Sequence, residues 1–405
     1  MTVAEPVGVP GLVARTRFAA DDRPVLDHLG ARGHAWIRDG VGFVTAGVAA
    51  VVPATDATRF LRSVRADDPV RRPGTGPIAV GALPFADPSR ASLVVPARVV
   101  GIAADGTRWA TEITGAATAT VPAPDGPVRE PAAPVPAEAF VVADRESWEA
   151  KVRVALERIR RGELSKLVLA RQVVVDATRT FDAPALLAKL AATQPGCFVY
   201  AAPRFVGASP ELLVARNGAR VWSRPMAGTV ARGVDGAADA VALTELAASA
   251  KDALEHRLVV DDVVGVLEKH CTDVTASPVP EIARLPDVAH LATTITARVG
   301  TDDHSALDLA LALHPTPAVG GCPTDAALAA LAELEGFDRG RYAGPVGWVD
   351  ATGNGEWAVA LRGAEVEGGR AIVRAGAGIV EGSDPGAEWR ETEAKLATVL
   401  GVLTG

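Results

Sequence analysis

The sequence has few cysteines and no long apolar run. Its three cysteines, Cys197, Cys271 and Cys322, show no CxxC spacing and are too scattered for a disulfide framework or a zinc site. We therefore expect reduced thiols. No stretch of about 18 residues escapes polar interruption, and the first residues lack a basic segment followed by an apolar one. The sequence thus predicts no membrane span and no signal peptide, and a cytoplasmic location is expected.

Lysine is scarce as well. The chain has six lysines, and none lies in the first 150 residues. Arginine supplies the remaining positive charge, so a retained lysine can mark a position that needs a compact, titratable amine. Chance survival in an arginine-rich composition is the alternative, and we prefer it for Lys189 and Lys269. The formal net charge of −8 argues against nucleic acid as the main partner but leaves anionic small molecules open.

Length and proline content indicate how the chain is organised. A chain of 405 residues exceeds the usual size of one core, so two domains or one large domain with two lobes is expected. Residues 121–137 carry six prolines, which predicts an extended connector. We divide the chain into residues 1–137, an amino-terminal lobe and connector that belong to the same fold, and residues 138–405, where the motifs are concentrated.

The apolar patterning predicts both helices and strands. Ser147 is a candidate N-cap for a helix that ends at Gly162, and residues 241–270 carry the period of one long amphipathic helix. Further helices are predicted at 183–193, 305–313, 325–335 and 386–401. Strands are predicted at 167–175, 212–215, 221–223, 346–350, 357–362 and 371–374. Because the strands come mostly as hairpins and the helices in blocks, the patterning favours an α+β fold with antiparallel sheets over a doubly wound parallel sheet.

Two predicted helices carry acidic residues three positions apart. Glu388, Glu391 and Lys395 share one face of the helix at 386–401, and Asp252 and Glu255 share a face of the helix at 241–270. Either pair alone could belong to a solvated helix face. If the two faces meet, they enclose a hard divalent cation in oxygen ligands, and Mg²⁺ suits that description.

Eight motifs occur in the order found in chorismate-utilising enzymes, the family that includes anthranilate synthase component I. They are 165–171 (SKLVLAR), 207–211 (GASPE), 225–229 (PMAGT), 251–256 (KDALEH), 290–291 (HL), 314–317 (HPTP), 353–357 (GNGEW) and 388–395 (EWRETEAK). The match covers about residues 145–403, and the chain closely resembles siderophore-type isochorismate synthases. The resemblance implies one large α+β domain, with stacked antiparallel sheets flanked by helices, in which residues 138–405 bind chorismate with Mg²⁺ as cofactor.

The resemblance implies an isomerisation in which water adds to C2 of chorismate while the C4 hydroxyl leaves. Lys166 resembles the family's base and Glu211 its general acid, which needs a raised pKa. The alternatives are a strand-edge lysine in an ion pair and a solvent-facing acid beside a turn. The residues that match the family's magnesium site are all carboxylates, with the first two as direct ligands and the last two supporting them: Glu255, Glu391, Asp252 and Glu388.

The remaining matches imply a substrate pocket. Arg362, predicted to lie on a strand, resembles the anchor of the pyruvyl carboxylate, and a cross-strand ion pair is its alternative. Gly376 and Gly378 would offer N–H groups to the same end of the substrate, although glycines also mark tight hairpins. Lys395 would face the ring carboxylate. The other residues expected in the pocket are Gly228, Thr229, His290, Ala318 and Tyr342.

Three positions separate the possible products. Lys166 favours water over ammonia as the nucleophile, Ala227 disfavours the aminodeoxychorismate branch, and Ala318 replaces the hydroxyl residue of salicylate synthases and ammonia users. Isochorismate is therefore expected, for siderophore (2,3-dihydroxybenzoate or salicylate) or menaquinone biosynthesis. Salicylate synthase, anthranilate synthase component I and a non-catalytic ligand-binding relative are the alternatives. We expect a monomer without a glutamine amidotransferase subunit.

Overall fold

The computed structural model describes residues 11–115, 137–141, 144–300 and 304–404. The predicted connector at 121–137 lies outside these residues apart from Ala137. None of the described helices is long and apolar enough to cross a membrane. The α-helices are α1 (Ala57–Ser63), α2 (Arg145–Arg160), α3 (Ala183–Thr193), α4 (Gly236–Ala248), α5 (Ala250–His270), α6 (Ala306–Leu313), α7 (Thr324–Leu334) and α8 (Pro385–Thr404). Short 3-10 helices occur at Val25–His28, Ala54–Asp56 and Pro88–Arg90.

The same residues form 25 strands. In chain order they are β1 (Val13–Phe18), β2 (Ala35–Arg38), β3 (Val41–Ala46), β4 (Ala50–Pro53), β5 (Arg65–Asp67), β6 (Ile78–Ala82), β7 (Ser92–Val95), β8 (Arg98–Ile102), β9 (Arg108–Thr114), β10 (Ala137–Val141), β11 (Lys166–Ala177), β12 (Phe198–Ala202), β13 (Phe205–Ser209), β14 (Leu212–Asn217), β15 (Arg220–Arg224), β16 (Met226–Ala231), β17 (Thr272–Ala276), β18 (Glu281–Arg284), β19 (Val288–Ala292), β20 (Ile295–Arg298), β21 (Gly321–Cys322), β22 (Pro345–Asp350), β23 (Gly355–Val359), β24 (Gly363–Glu367) and β25 (Arg370–Ile379).

The strands are arranged in two large sheets and one small one. The first sheet has 13 strands in the order β10-β11-β25-β24-β13-β12-β2-β3-β8-β9-β1-β5, with β21 also paired to β11. The second has nine, β17-β20-β15-β14-β23-β22-β6-β7-β4, and the third has three, β16-β19-β18. Strand pairing is antiparallel except between β1 and β5. The predicted α+β class with antiparallel sheets is confirmed.

Aromatic side chains pack between the two large sheets. Phe43 on β3 meets Trp348 on β22 edge to face, with ring centroids 5.8 Å apart. Strands from the first third of the chain also pair with later strands: β2 with β12 in the first sheet, and β6 with β22 in the second. Both sheets are therefore shared between residues 11–115 and residues 144–404. The predicted boundary after residue 137 stays a prediction.

The centre of the fold is the pair formed by β11 and β25. They are registered from Leu167 opposite Ile379 to Asp176 opposite Arg370, and almost all of their residues are buried. A strand buried on both faces reads as a mainly apolar run, and 167–175 is apolar except for Arg171 and Gln172. Helix α8 packs on β25, and α5 packs on β16 of the small sheet. Helix α8 contacts β16 as well, and Glu255 of α5 forms an ion pair with Lys166 at the start of β11.

Three local predictions were wrong. The helix predicted over 241–270 is two helices, because Ser249 is extended and its side chain accepts a hydrogen bond from the Asp252 N–H, which starts α5 anew. Helix α2 is capped by Asp144, whose carboxylate accepts from the N–H of Ser147, the residue predicted as the cap. Arg362 is not on a strand: β23 ends at Val359, and Arg362 has a left-handed backbone with φ 48°.

Candidate active site

A narrow cavity of about 70 Å³ lies where β25, α5, α8 and the small sheet meet. Its wall contains ten of the fifteen predicted site residues: Glu211, Thr229, Glu255, His290, Ala318, Tyr342, Arg362, Gly376, Gly378 and Lys395. The other five do not form part of its wall: Lys166, Gly228, Asp252, Glu388 and Glu391. The fold therefore brings most of the predicted site together around one cavity and leaves the other five residues outside its wall.

Half of the lysines of the chain are paired with carboxylates at this site. The three ion pairs are Lys166 Nζ to Glu255 Oε1 at 3.0 Å, Lys251 Nζ to Glu388 Oε1 at 2.8 Å, and Lys395 Nζ to Glu391 Oε1 at 2.6 Å. Lys395 also donates to the carbonyl of Gly376 at 3.0 Å. Three of the four predicted magnesium ligands thus carry a compensating ammonium group in this structure.

Lys166 and Glu255 form the most deeply buried of these pairs. Lys166 begins β11 with no exposed surface, and Glu255 reaches it from α5. Burial raises the pKa of the Glu255 carboxyl, but the ammonium groups of Lys166, Lys251 and Lys395 outweigh that effect and hold the pKa below its ordinary value. Gly378 makes the approach possible, because a Cβ there would lie 2.0 Å from Glu255 Oε1.

Glu211 is the acid whose environment favours the protonated form. It follows Pro210 immediately before β14 and is 4% exposed. Burial raises its pKa to about 7, against a weak hydrogen bond from the Met226 N–H and the positive charges of Lys166 and Lys395. A carboxyl of this kind keeps its proton near neutral pH and can donate it. The solvent-facing alternative for Glu211 is excluded.

Arg362 is held in the cavity wall by His290. Its Nη2 donates to His290 Nε2 at 3.1 Å, and His290 Nδ1 lies 3.0 Å from Thr229 Oγ1. Burial and the Arg362 charge lower the pKa of His290 far below its ordinary value, so the ring is neutral. Because Nε2 accepts the hydrogen bond from Arg362, the ring proton is on Nδ1. Arg362 Nη1 is buried and finds no hydrogen-bond partner among the described residues. This orphaned donor, on a residue with strained backbone, suits an anionic group in the cavity.

The backbone N–H groups of Gly376 and Gly378 face away from β11. These glycines stand opposite Ala170 and Val168, whose N–H groups donate elsewhere, to Glu335 Oε1 and to the carbonyl of Gly320. The two pairs are therefore the non-hydrogen-bonded positions of the ladder. On the other side, β24 pairs with β25 only as far as Val373. The N–H groups are thus directed toward the edge where the cavity lies.

The acidic residues of α5 and α8 offer carboxylate oxygens, the type of ligand that Mg²⁺ prefers. Burial and the nearby negative charge of Glu391 raise the pKa of Glu388 to about 7. The raised pKa reflects the crowding of negative charge around these two carboxylates. Among the described residues no three His, Cys, Asp or Glu side chains form a ready-made metal cluster. Mg²⁺ needs only one or two carboxylates and takes its other ligands from water and substrate. Asp252 lies beside Gly228, at whose position a Cβ would come within 2.9 Å of the Asp252 Cβ.

Sequence reasoning missed the buried pair that supports the cavity wall. Arg339 Nη2 donates to the Val168 carbonyl and Nη1 to the Val319 carbonyl, both at 2.6 Å. Arg339 also bonds Glu335, whose Oε1 accepts from the Ala170 N–H at 2.8 Å. The pair thereby ties β11 to the segment that carries Ala318. The i,i+4 spacing of Glu335 and Arg339 was the available signal, but it is equally typical of exposed helix faces.

A larger groove of about 980 Å³ contains none of the predicted residues. It lies at the end of the two large sheets, over Trp36, Phe43 and Trp348. Two of its charged residues, Arg72 and Asp105, pair with each other at its exposed rim. The smaller cavity gathers the buried acid, the orphaned Arg362 donor and the ion-paired Lys395, so the chemistry belongs there rather than in the larger groove.

Comparisons with known proteins agree with this fold. A family model described as chorismate binding enzyme matches residues 103–404. A Mycobacterium tuberculosis protein, provisionally named isochorismate synthase MenF, is 43% identical over 360 residues, covering 85% of this chain and 91% of that protein. Isochorismate synthase DhbC of Bacillus subtilis is 37% identical over 335 residues, 80% of either chain. The structure of Escherichia coli MenF, the menaquinone-specific isochorismate synthase, is similar with a TM-score of 0.83 at 27% identity, over 97% of this chain and 95% of that one.

Proposed function

Because the chain belongs to the family of chorismate-binding enzymes, we propose that it is a Mg²⁺-dependent isochorismate synthase. It would convert chorismate into isochorismate for siderophore or menaquinone biosynthesis. The observation that carries the proposal is Glu211, a buried carboxyl with a pKa of about 7 in the same cavity wall as Arg362 and Lys395. A proton donor facing two cations is what a dicarboxylate substrate with a leaving hydroxyl requires.

Arg362 and the two glycines would hold one end of the substrate. The free Nη1 of Arg362 binds the pyruvyl carboxylate, and the N–H groups of Gly376 and Gly378 donate to the same group. His290 keeps the guanidinium in place through its Nε2, and as a neutral ring it adds no competing charge. Lys395 faces the ring carboxylate. Substrate orientation is therefore the work of residues that are already buried and hydrogen-bonded.

Glu211 and Lys166 would move the protons. Water adds at C2, the ring double bonds shift, and the C4 hydroxyl leaves as water with the proton that Glu211 donates. Lys166 accepts the proton lost by the attacking water. Lys166 Nζ is held 3.0 Å from Glu255 Oε1, so this contact must open before the amine reaches the attacking water. The reaction neither oxidises nor reduces the substrate, and one water enters as one leaves.

Glu255 and Glu391 would hold the magnesium ion, with Asp252 and Glu388 beside them. When bound, the ion supplies positive charge for the ring carboxylate without a protein proton. The carboxylates also crowd negative charge that a cation relieves, as the raised pKa of Glu388 indicates. Chelation is thus expected to remove both substrate affinity and turnover.

Isochorismate is favoured over salicylate and anthranilate by Ala318. This residue lines the cavity with only a methyl group, so it offers no hydroxyl to orient ammonia or to assist pyruvate loss. The relatives with similar sequences are named isochorismate synthases, which supports the same choice. We propose that the protein works in the cytoplasm as a monomer and needs no amidotransferase subunit.

The decisive experiment identifies the products formed from chorismate. Purified protein is incubated with chorismate and Mg²⁺, with and without ammonium, and the products are separated by chromatography. Isochorismate should be the main product in both cases. Predominant salicylate would assign the chain to salicylate synthases, and anthranilate in the presence of ammonium would assign it to the ammonia users.

A further inference from the structure

Lys251 is a lysine that neither the proposed reaction nor the substrate contacts use. It lies in the first turn of α5, where the N-terminal end of the helix dipole disfavours a positive charge. Its ammonium group reaches across to α8 and donates to Glu388 Oε1 at 2.8 Å. The contact brings together a cation at an unfavourable helix end and a carboxylate beside the proposed magnesium ligands.

Glu388 needs a positive partner more than Lys251 does. The Glu388 side chain is 2% exposed and close enough to Glu391 for the two charges to repel, whereas the Lys251 side chain is 29% exposed. A buried carboxylate without a counter-ion is costly, but a partly exposed ammonium on a long flexible stem can return to water. The lysine is thus the member of the pair that can leave.

The other two lysines of the site are less free to move. Lys166 has no exposed surface and lies inside the fold at the start of β11. Lys395 is anchored twice, to Glu391 and to the carbonyl of Gly376. Lys251 makes one side-chain hydrogen bond among the contacts described for it, the one to Glu388. Of the three ammonium groups, Lys251 is the one placed to exchange.

We propose that Lys251 competes with the divalent cation for Glu388. Its ammonium group occupies Glu388 until the cation binds, and this competition lowers the affinity of the free enzyme for Mg²⁺. The inference rests on the proposed magnesium site. As the cation approaches the acidic faces of α5 and α8, the ammonium group gives up Glu388 and turns toward solvent. The ion must displace the Lys251 ammonium group from Glu388, so the free enzyme binds the ion less tightly than it would without this lysine.

The test measures Mg²⁺ affinity without chorismate, by titration calorimetry and by thermal unfolding at constant ionic strength. Lys251→Met removes the charge with little change in shape, and Lys251→Arg keeps it. Lys269→Met is the matched control, because Lys269 is an exposed lysine on the same helix. Lys251→Met should bind Mg²⁺ about tenfold more tightly than wild type, which corresponds to about 1.4 kcal/mol of binding free energy. It should also melt at a lower temperature in chelator, because Glu388 has lost its partner.

Lys251→Arg and Lys269→Met should both keep the wild-type affinity. Equal or weaker Mg²⁺ binding by Lys251→Met would overturn the inference and leave the lysine as a tie between α5 and α8. If Lys251→Met does not fold, Lys251→Gln is measured in its place, with the same two outcomes. A wild-type protein that converts chorismate to isochorismate without binding Mg²⁺ would overturn this inference and the metal site but not the proposed reaction.

Discussion

Replacing Glu211 with glutamine tests the proposed acid at nearly constant shape. Glutamine fills the same space but cannot give up a proton at the leaving hydroxyl. General acid catalysis contributes about 10²- to 10⁴-fold to rates, so kcat should fall by at least the lower figure. In the wild type, kcat should decline as the pH rises through about 7, because burial sets the pKa of Glu211 at about 7 and the acid form is lost above it. The variant should lack this decline.

The same carboxyl makes folding stability depend on pH. Its pKa is 4.5 in the unfolded chain and about 7 in the folded one, which corresponds to about 3 kcal/mol of preference for the proton in the folded state. Between these values the folded protein binds a proton that the unfolded chain has lost. The contribution of Glu211 to the free energy of unfolding of the wild type therefore falls as the pH rises from 4.5 to about 7. The glutamine variant has no such group to ionise.

The comparison uses urea unfolding of both proteins at about pH 5 and about pH 8 without added Mg²⁺. When the pH is raised from about 5 to about 8, the free energy of unfolding of Glu211→Gln should increase by about 3 kcal/mol relative to that of wild type. The contributions of other titrating groups cancel in this difference. Glu268→Gln, an exposed acid on α5, is the control and should show no gain. A variant with near-normal kcat, or a wild-type kcat that increases between about pH 7 and about pH 9, would refute the assignment of Glu211 as the acid.

Three further predictions concern the other parts of the site. Excess chelator should abolish turnover and Mg²⁺ should restore it, and full activity in chelator would contradict the metal assignment. Glu391→Gln should mimic chelation more closely than Glu393→Gln, because residue 393 lies about 200° around α8 from residue 391. Lys166→Ala should lower kcat at least about 100-fold while chorismate still binds in equilibrium measurements, and near-normal kcat would mean that another group is the base. Ala318→Thr should raise the salicylate or amino-product fraction, measured by chromatography against wild type; an unchanged ratio counts against a role for this position.

Apolar patterns within short windows of the sequence correctly predicted several individual helices and strands. The helix expected at 183–193 is Ala183–Thr193, and the aliphatic run at 167–175 is the middle of β11. The break at Ser249 was missed because the apolar period continues across it from α4 into α5. Pairing was beyond local reasoning, since β2 joins β12 and β6 joins β22 across large sequence separations. Those partners are chosen by burial of a common core, which no short window contains.

The candidate site was predicted from the family resemblance rather than from local rules. The resemblance gave ten residues of the cavity wall but assigned His290 only as a wall, whereas the structure makes it the group that holds Arg362. The left-handed backbone of Arg362 could not be read from the sequence, because that conformation favours glycine and asparagine. Lys251 was visible only as the first residue of the motif at 251–256, and its carboxylate partner is 137 positions away.

The order in which the ribosome makes this chain differs from the order of the largest sheet. β25 and α8 are made after the other described elements, yet β25 lies between β11 and β24. Until β25 emerges, both neighbours have an open edge, which favours pairing with other chains. Contacts so distant in sequence also form slowly. Because Gly376, Gly378 and Lys395 arrive with these elements, a nascent chain that stops before them lacks part of the cavity wall and the strand that closes the sheet. The cavity wall is therefore complete only once the last described strand and helix have been made and have packed.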